Sequence, residues 1–196
     1  MYTVAMQNFY EYLSVQTLIA SNLKTPKSLE KLIESIFTST TDPNSLVFTA
    51  GNGGSASTAE HFSADLAQMG KRTGREVRSF CLNTQTALSS ALANDHEYSQ
   101  VLTTQLSAFK SSKFILVVFS ASGNSKNILN AVNFSLEAGK EVHCFVGFGG
   151  GEILNIEKVN AIYFPDSEKN YGIAENLHLA ATHYVVDRLI EKFAVN

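Results

Sequence analysis

A doubly wound α/β fold is what this sequence predicts, and three observations carry it. Five short runs are apolar without alternation, helical stretches separate them, and Gly- and Ser-rich turns follow two of them. Continuous apolar runs suit strands covered on both faces, as in a parallel sheet. Strand alternating with helix builds βαβ units with right-handed crossovers. The expected architecture is a parallel sheet of about five strands, flanked by helices and preceded by an N-terminal helical pair.

Taken in order, two helices are expected near Tyr2–Ser21 and Pro26–Thr38. The strand runs are Leu46–Ala50, Arg78–Leu82, Phe114–Phe119, Val142–Val146 and Ala161–Phe164. Between them, Ser57–Met69 is amphipathic. Asn127–Ala138 places Ile128, Leu129, Val132 and Leu136 at helical spacing and stops at Gly139, a helix-ending signal. Ile173–Phe193 is the longest helical stretch. A doubly wound sheet takes its ligands at the carboxyl ends of its strands, where the turns lie.

Composition excludes several classes. The chain has 196 residues, which suits one domain spanning 1–196 with a substantial core. It is 44% hydrophobic and 17% charged, which argues against disorder. The net charge of -3, without any Lys/Arg cluster, gives no nucleic-acid footprint. No apolar run approaches the ~20 residues of a membrane helix, and the polar stretch Met1–Leu23 does not resemble a secretory leader. Cys81 and Cys144 lack metal or redox spacing and sit in strand-like runs, so both are expected as buried, reduced thiols of a cytoplasmic protein.

The first turn, Gly51-Asn52-Gly53-Gly54-Ser55-Ala56-Ser57, joins the first strand to a helix. Glycine lets a ligand approach the backbone, and the helix N-terminus offers unpaired N–H groups at a positive dipole end. The second, Ser120-Ala121-Ser122-Gly123-Asn124-Ser125, follows the third strand and brings three hydroxyls to the same device. Ser125 alone also reads as a helix cap. Two such turns, each after a strand, point to a phosphorylated small molecule. Neither matches the dinucleotide fingerprint or the Walker A motif, so a nucleotide is disfavoured. Asn83-Thr84 and Asn94-Asp95 stand at element ends, with sugar-hydroxyl binding and turn capping both open to them.

His61 and Asp65 are four apart on the helix launched by the first turn, hence on one face. Glu175, His178 and His183 lie on the last helix, with Glu175 leaning toward the side of the other two. If that helix packs over the first turn, His61, Asp65, Glu175 and His183 converge. Such a set suits a divalent metal or proton transfer. Without that packing the histidines are half-buried structural groups and the acids solvated. His96 and His143 read as structural.

These motifs resemble those of the bacterial phosphoheptose isomerases, sedoheptulose 7-phosphate isomerases of the sugar-isomerase (SIS) fold, a flavodoxin-like sheet. The resemblance rests on Gly51–Ala56 followed by Glu60–Leu66, on Leu92–Asp95, on Ser120–Ser125, and on Ala174–His178 with His183. It implies a homotetramer with active sites between subunits and the N-terminal helices, about 1–40, as the oligomerisation element. It implies substrate binding by Asn52, Gly53, Ser55, Asn94, Asp95, Ser120, Ser122, Ser125 and Glu175. It also implies zinc on His61, Asp65, Glu175 and His183, with Asp65 and His183 as the acid/base pair.

The sequence departs from the family pattern at a few places. Asp65 stands for the usual glutamate, Glu175 for a glutamine, and Ala121 for a threonine, while the arginine usual near Ile173-Ala174 is missing. Asp65 and Glu175 together add one negative charge, which a cation tolerates. Glu175 is expected to compensate partly for the shorter Asp65. Two rival readings are an isomerase of another sugar phosphate and a non-catalytic binding module of the same fold. The latter has no need of Asp65, His61 and His183.

Overall fold

A computed structural model describes residues 8–23, 26–166 and 169–195. Strands β1 (Leu46–Ala50), β2 (Ser79–Cys81), β3 (Phe114–Ser120), β4 (Glu141–Val146) and β5 (Asn160–Tyr163) form one sheet. Its order is β2-β1-β3-β4-β5 and every neighbouring pair is parallel, as predicted. The chain leaves β1 toward β2 and leaves β3 toward β4. The carboxyl ends of β1 and β3 therefore flank the switch-point crevice, where ligands bind in such sheets. Those are the two ends that carry the Gly/Ser turns.

The helices are α1 (Phe9–Ser21), α2 (Pro26–Ser39), α3 (Gly54–Thr73), α4 (Thr86–Asp95), α5 (Val101–Ser107), α6 (Lys126–Glu137) and α7 (Tyr171–Val195). The expected start of the first helix at Tyr2 lies outside the described residues. Asn8 caps α1, its Oδ1 accepting from the Glu11 N–H at 3.0 Å. α4 and α5 were not among the predicted helices. α4 buries none of its residues, so its sequence carries little amphipathic signal. β2 is shorter than the run Arg78–Leu82 because Leu82 already enters a 3-10 turn, Leu82–Thr84.

Side chains along β3 alternate between two cores, the period of a strand. Ile115, Val117 and Phe119 face a layer made by α2, α3 and α7, where Leu32, Phe62, Leu66, Leu177, Val185 and Leu189 pack. Leu116 and Val118 face α5 and α6, against Leu102, Leu106, Ile128 and Val132. Phe62 and Leu66 are fully buried, each burial contributing roughly 1.5–3 kcal/mol. That packing holds α3 beside α7.

His143 is structural, as expected. Its Nδ1 lies 2.6 Å from Asn160 Nδ2 and accepts from it, so the ring is neutral, and its Nε2 lies 3.3 Å from Glu141 Oε1. Ser35 donates to Glu141 at 2.7 Å and Asn160 donates to the Ser28 carbonyl at 2.8 Å, tethering α2 to the sheet. Burial lowers the His143 pKa, while His143 and Ser35 hold the Glu141 carboxyl down at about 2. His96, by contrast, stands exposed just past α4. Cys81 and Cys144 are buried free thiols.

Candidate active site

The first turn leaves β1 at Ala50 and enters α3 at Gly54. Gly53 sits at the N-cap with φ 55°, a left-handed position that glycine occupies without strain. The first N–H groups of α3 have no partner within the helix and face the crevice end. Asn83 holds Gly51 from both sides. Its Oδ1 accepts the Gly51 N–H at 3.0 Å and its Nδ2 donates to the Gly51 carbonyl at 2.8 Å. Asn83 is thus a backbone clamp, which decides between the two roles open to it.

The second turn leaves β3 at Ser120. The Gly123 N–H reaches both the Ser120 carbonyl at 3.1 Å and Ser120 Oγ at 3.2 Å, and the Asn124 N–H donates to Ser122 Oγ at 3.3 Å. These serines accept from the backbone and keep their O–H groups to donate. Ser125 occupies the N-cap position of α6, yet its side chain makes no capping bond. Its hydroxyl is not committed to the helix.

Both turns line one cavity of about 300 Å³ with Tyr171 and Glu175 of α7. Of the residues expected to bind substrate, Asn52, Gly53, Ser55, Ser120, Ser122, Ser125 and Glu175 are on its wall. Asn94 and Asp95 are not. They end α4, exposed, with Asn94 Nδ2 donating to Asp95 Oδ1 at 2.9 Å. Glu175 lies against the first turn, where a Cβ on Gly54 would come within 2.2 Å of its carboxylate. Desolvation pushes the Glu175 carboxyl above its ordinary pKa.

The α3–α7 packing produces the convergence that spacing alone left open. His61 Nε2 is 3.2 Å from Asp65 Oδ2 and 2.9 Å from His183 Nε2, which is 3.9 Å from Asp65 Oδ2. The three ligand atoms lie within 4.8 Å of one another. Two imidazole nitrogens and a carboxylate oxygen at one point suit a divalent ion such as zinc, and three protein ligands leave a position open for substrate. Glu175 is not in this cluster, so the structure assembles three of the four expected ligands and turns the fourth to the cavity.

His178 neither joins the cluster nor is half-buried. It is fully buried among Phe119, Phe145 and Phe164, with ring centroids 5.8–6.2 Å away. Neither nitrogen has a hydrogen-bond partner in good geometry among the described residues. Burial pushes its pKa down to about 4.

Sequence reasoning missed the loop after β4, Gly147-Phe148-Gly149-Gly150-Gly151. Its glycine run after a strand was the available signal. Gly147 N–H donates to the Ala121 carbonyl at 3.1 Å, and the Gly123 carbonyl accepts from the Ile153 N–H at 3.2 Å. The loop thereby backs the second turn. Phe148, at φ 50°, is held by Tyr163 Oη on its carbonyl at 3.0 Å, and its ring meets Tyr171 edge-on at 4.9 Å.

Residues 11–148 match the SIS domain family. A phosphoheptose isomerase of Helicobacter pylori strain P12 is 27% identical over 184 residues, 94% of either chain. That of strain Shi470 is 30% identical over 174 residues, 86% of this chain and 89% of the relative. The solved phosphoheptose isomerase of Francisella tularensis superposes with a TM-score of 0.82 at 22% identity, covering 93% of this chain and 95% of its own. With the paired turns, the crevice and the His/Asp cluster in the same fold, the chain belongs to the phosphoheptose isomerase family of SIS-domain proteins, a family of aldose–ketose isomerases.

Proposed function

We propose that this chain interconverts sedoheptulose 7-phosphate and the corresponding aldose, D-glycero-D-manno-heptose 7-phosphate, by proton transfer through an ene-diol. The observation that carries the reading is that α7, packed along α3, presents Glu175 to the hydroxyl-lined cavity at the α3 N-terminus and, eight residues on, His183 to His61 and Asp65. Phosphate held by Ser55, Ser120, Ser122, Ser125 and the α3 N-terminus anchors the substrate and fixes its C1–C2 end. Asp65 removes the proton beside the carbonyl, and His183 serves as its acid/base partner in returning a proton at the neighbouring carbon. Glu175, beside the first turn, hydrogen-bonds substrate hydroxyls.

His61, Asp65 and His183 would hold zinc. A bound divalent ion lowers the cost of the charge that develops on the substrate oxygens. The extra negative charge of Asp65 and Glu175, relative to the family pattern, is tolerated beside a cation.

The domain is read as one unit, 1–196, acting as a cytoplasmic homotetramer through its N-terminal helices. Phe9, Tyr10, Leu13 and Leu18 of α1 are exposed, which supports that use, and among the described residues no helix is long and apolar enough to cross a membrane. An interface over α4, which buries nothing by itself, also explains how Asn94 and Asp95 reach a site. Light scattering on the purified protein checks the assembly.

The deciding experiment incubates pure protein with sedoheptulose 7-phosphate, with and without zinc, and follows aldose formation by NMR. Conversion is expected; none under either condition overturns the reading. The position of Glu175 outside the cluster favours one second reading, the same reaction on a different sugar phosphate. A substrate panel separates the two.

A further inference from the structure

We propose that Asn127 and Tyr98 are positioning residues that lock the two halves of the phosphate cradle together through the side chain of Asn52. The proposal rests on the phosphosugar reading above and deepens it.

Asn52 belongs to the first turn, and Asn127 to the first turn of α6, the helix launched by the second. Their carboxamides pair reciprocally. Asn52 Nδ2 donates to Asn127 Oδ1 at 2.9 Å, and Asn127 Nδ2 donates to Asn52 Oδ1 at 2.8 Å. Tyr98 Oη adds a second donor to Asn52 Oδ1 at 2.8 Å. An amide oxygen has two acceptor sites, so both are filled. Asn52 therefore spends its side chain on the scaffold and serves substrate only through its backbone or its one remaining amide hydrogen.

Three chain segments meet at that carboxamide: residue 52 after β1, residue 98 in the turn past α4, and residue 127 after β3. Asn127 is only 4% exposed, so its pairing is protected from water. None of these bonds consumes the N–H groups at Gly53, Gly54 or Ser55 that an anion needs, and a neutral amide pair brings no negative charge to repel it. Fixing the two turns before the ligand arrives removes part of the ordering cost of binding. The expected signature is weaker anchoring with the proton-transfer groups intact.

The test measures inorganic phosphate binding by calorimetry and steady-state turnover of sedoheptulose 7-phosphate for the native chain, Tyr98→Phe and Asn127→Ala. A net hydrogen bond corresponds to roughly three- to ten-fold in affinity. Tyr98→Phe is expected to weaken phosphate binding and raise KM about three-fold, and Asn127→Ala about ten-fold, with kcat falling less than KM rises. Tyr98 is exposed and its variant keeps the ring, so it decides alone if Asn127→Ala does not fold. Variants that melt earlier yet bind phosphate as the native chain does overturn the clamp, as does a fall in kcat at unchanged KM. If the native chain binds neither inorganic phosphate nor the sugar phosphate, the phosphosugar reading falls and the clamp with it. Native binding that is indifferent to both substitutions sinks the clamp alone.

Discussion

The cradle and the His/Asp cluster both draw on α3 and α7 but are built in opposite ways. The cradle is backbone and small side chains from two contiguous turns, each fixed from behind: Gly51 by Asn83, Gly123 by Ser120, Asn52 by Asn127. The cluster is three side chains on two helices, with His61 and His183 122 positions apart. Its imidazoles are about half exposed, at 49% and 51%. Helix packing brings its members together, and they contact one another. The contrast teaches that binding here is preorganised by hydrogen bonds, whereas the cluster's geometry is set by the packing of α3 on α7 and completed by whatever it binds.

The largest expected effect separates the two regions. His183→Ala or Asp65→Asn removes a group proposed for proton transfer and should cut turnover on the order of 10²- to 10⁴-fold, while inorganic phosphate binds as before. Zinc content by mass spectrometry should fall in both, yet persist in Glu175→Gln, whose carboxylate faces the cavity. Loss of zinc in Glu175→Gln would break the comparison, since it would place that carboxylate in the cluster.

A smaller effect is expected from the cradle's own backbone. Gly123 has φ 66°, and a Cβ there would sit 2.0 Å from the Gly150 carbonyl oxygen. Gly123→Ala forces the second turn and the loop behind it apart, at about 1–3 kcal/mol for the backbone strain alone. Phosphate affinity should drop and the thermal midpoint with it, whereas zinc binding by His61, Asp65 and His183 should survive. Intact phosphate binding would mean the second turn is not part of the cradle.

The smallest effect concerns the third imidazole, which neither region uses. His178 is neutral in the folded protein, with its pKa pushed from 6.5 to about 4 by burial. Between those values the unfolded chain takes up a proton that the folded chain refuses, so stability falls as pH drops from 6.5 toward 4. The shift corresponds to about 2 kcal/mol between pH 7 and 5. Urea midpoints at those two pH values should differ less in His178→Leu than in the native chain. An unchanged difference would show that His178 is not the group responsible.

How much was legible in the sequence follows from chain distance. The turns Gly51–Ser57 and Ser120–Ser125 were readable because strand, turn and helix start are contiguous. The His61–Asp65 pair was readable from one helix period. That His183 joins them, that Glu175 turns to Gly54 instead, and that His178 enters an aromatic core were not, because each depends on how α7 is rotated against α3 and the sheet. Asn127 and Tyr98 carried no motif at all. Their role exists only where they meet Asn52. α4 was missed for a different reason: a helix that buries none of its residues leaves no periodic pattern to read.

By itself, the sequence determined the doubly wound sheet, the two phosphate-type turns and the residue types available for proton transfer, since apolar runs, glycines and helical spacing act locally. The tertiary structure decided which groups share a site. It paired His61 and Asp65 with His183, sent Glu175 to the cradle, left Asn94 and Asp95 outside it, and made Asn83 and Asn52 parts of the scaffold. The physical reason is that hydrogen bonds and ligand contacts reach only about 3 Å, and residues far apart in sequence come within that range only through the packing of the buried faces of α3, α6 and α7 on the sheet.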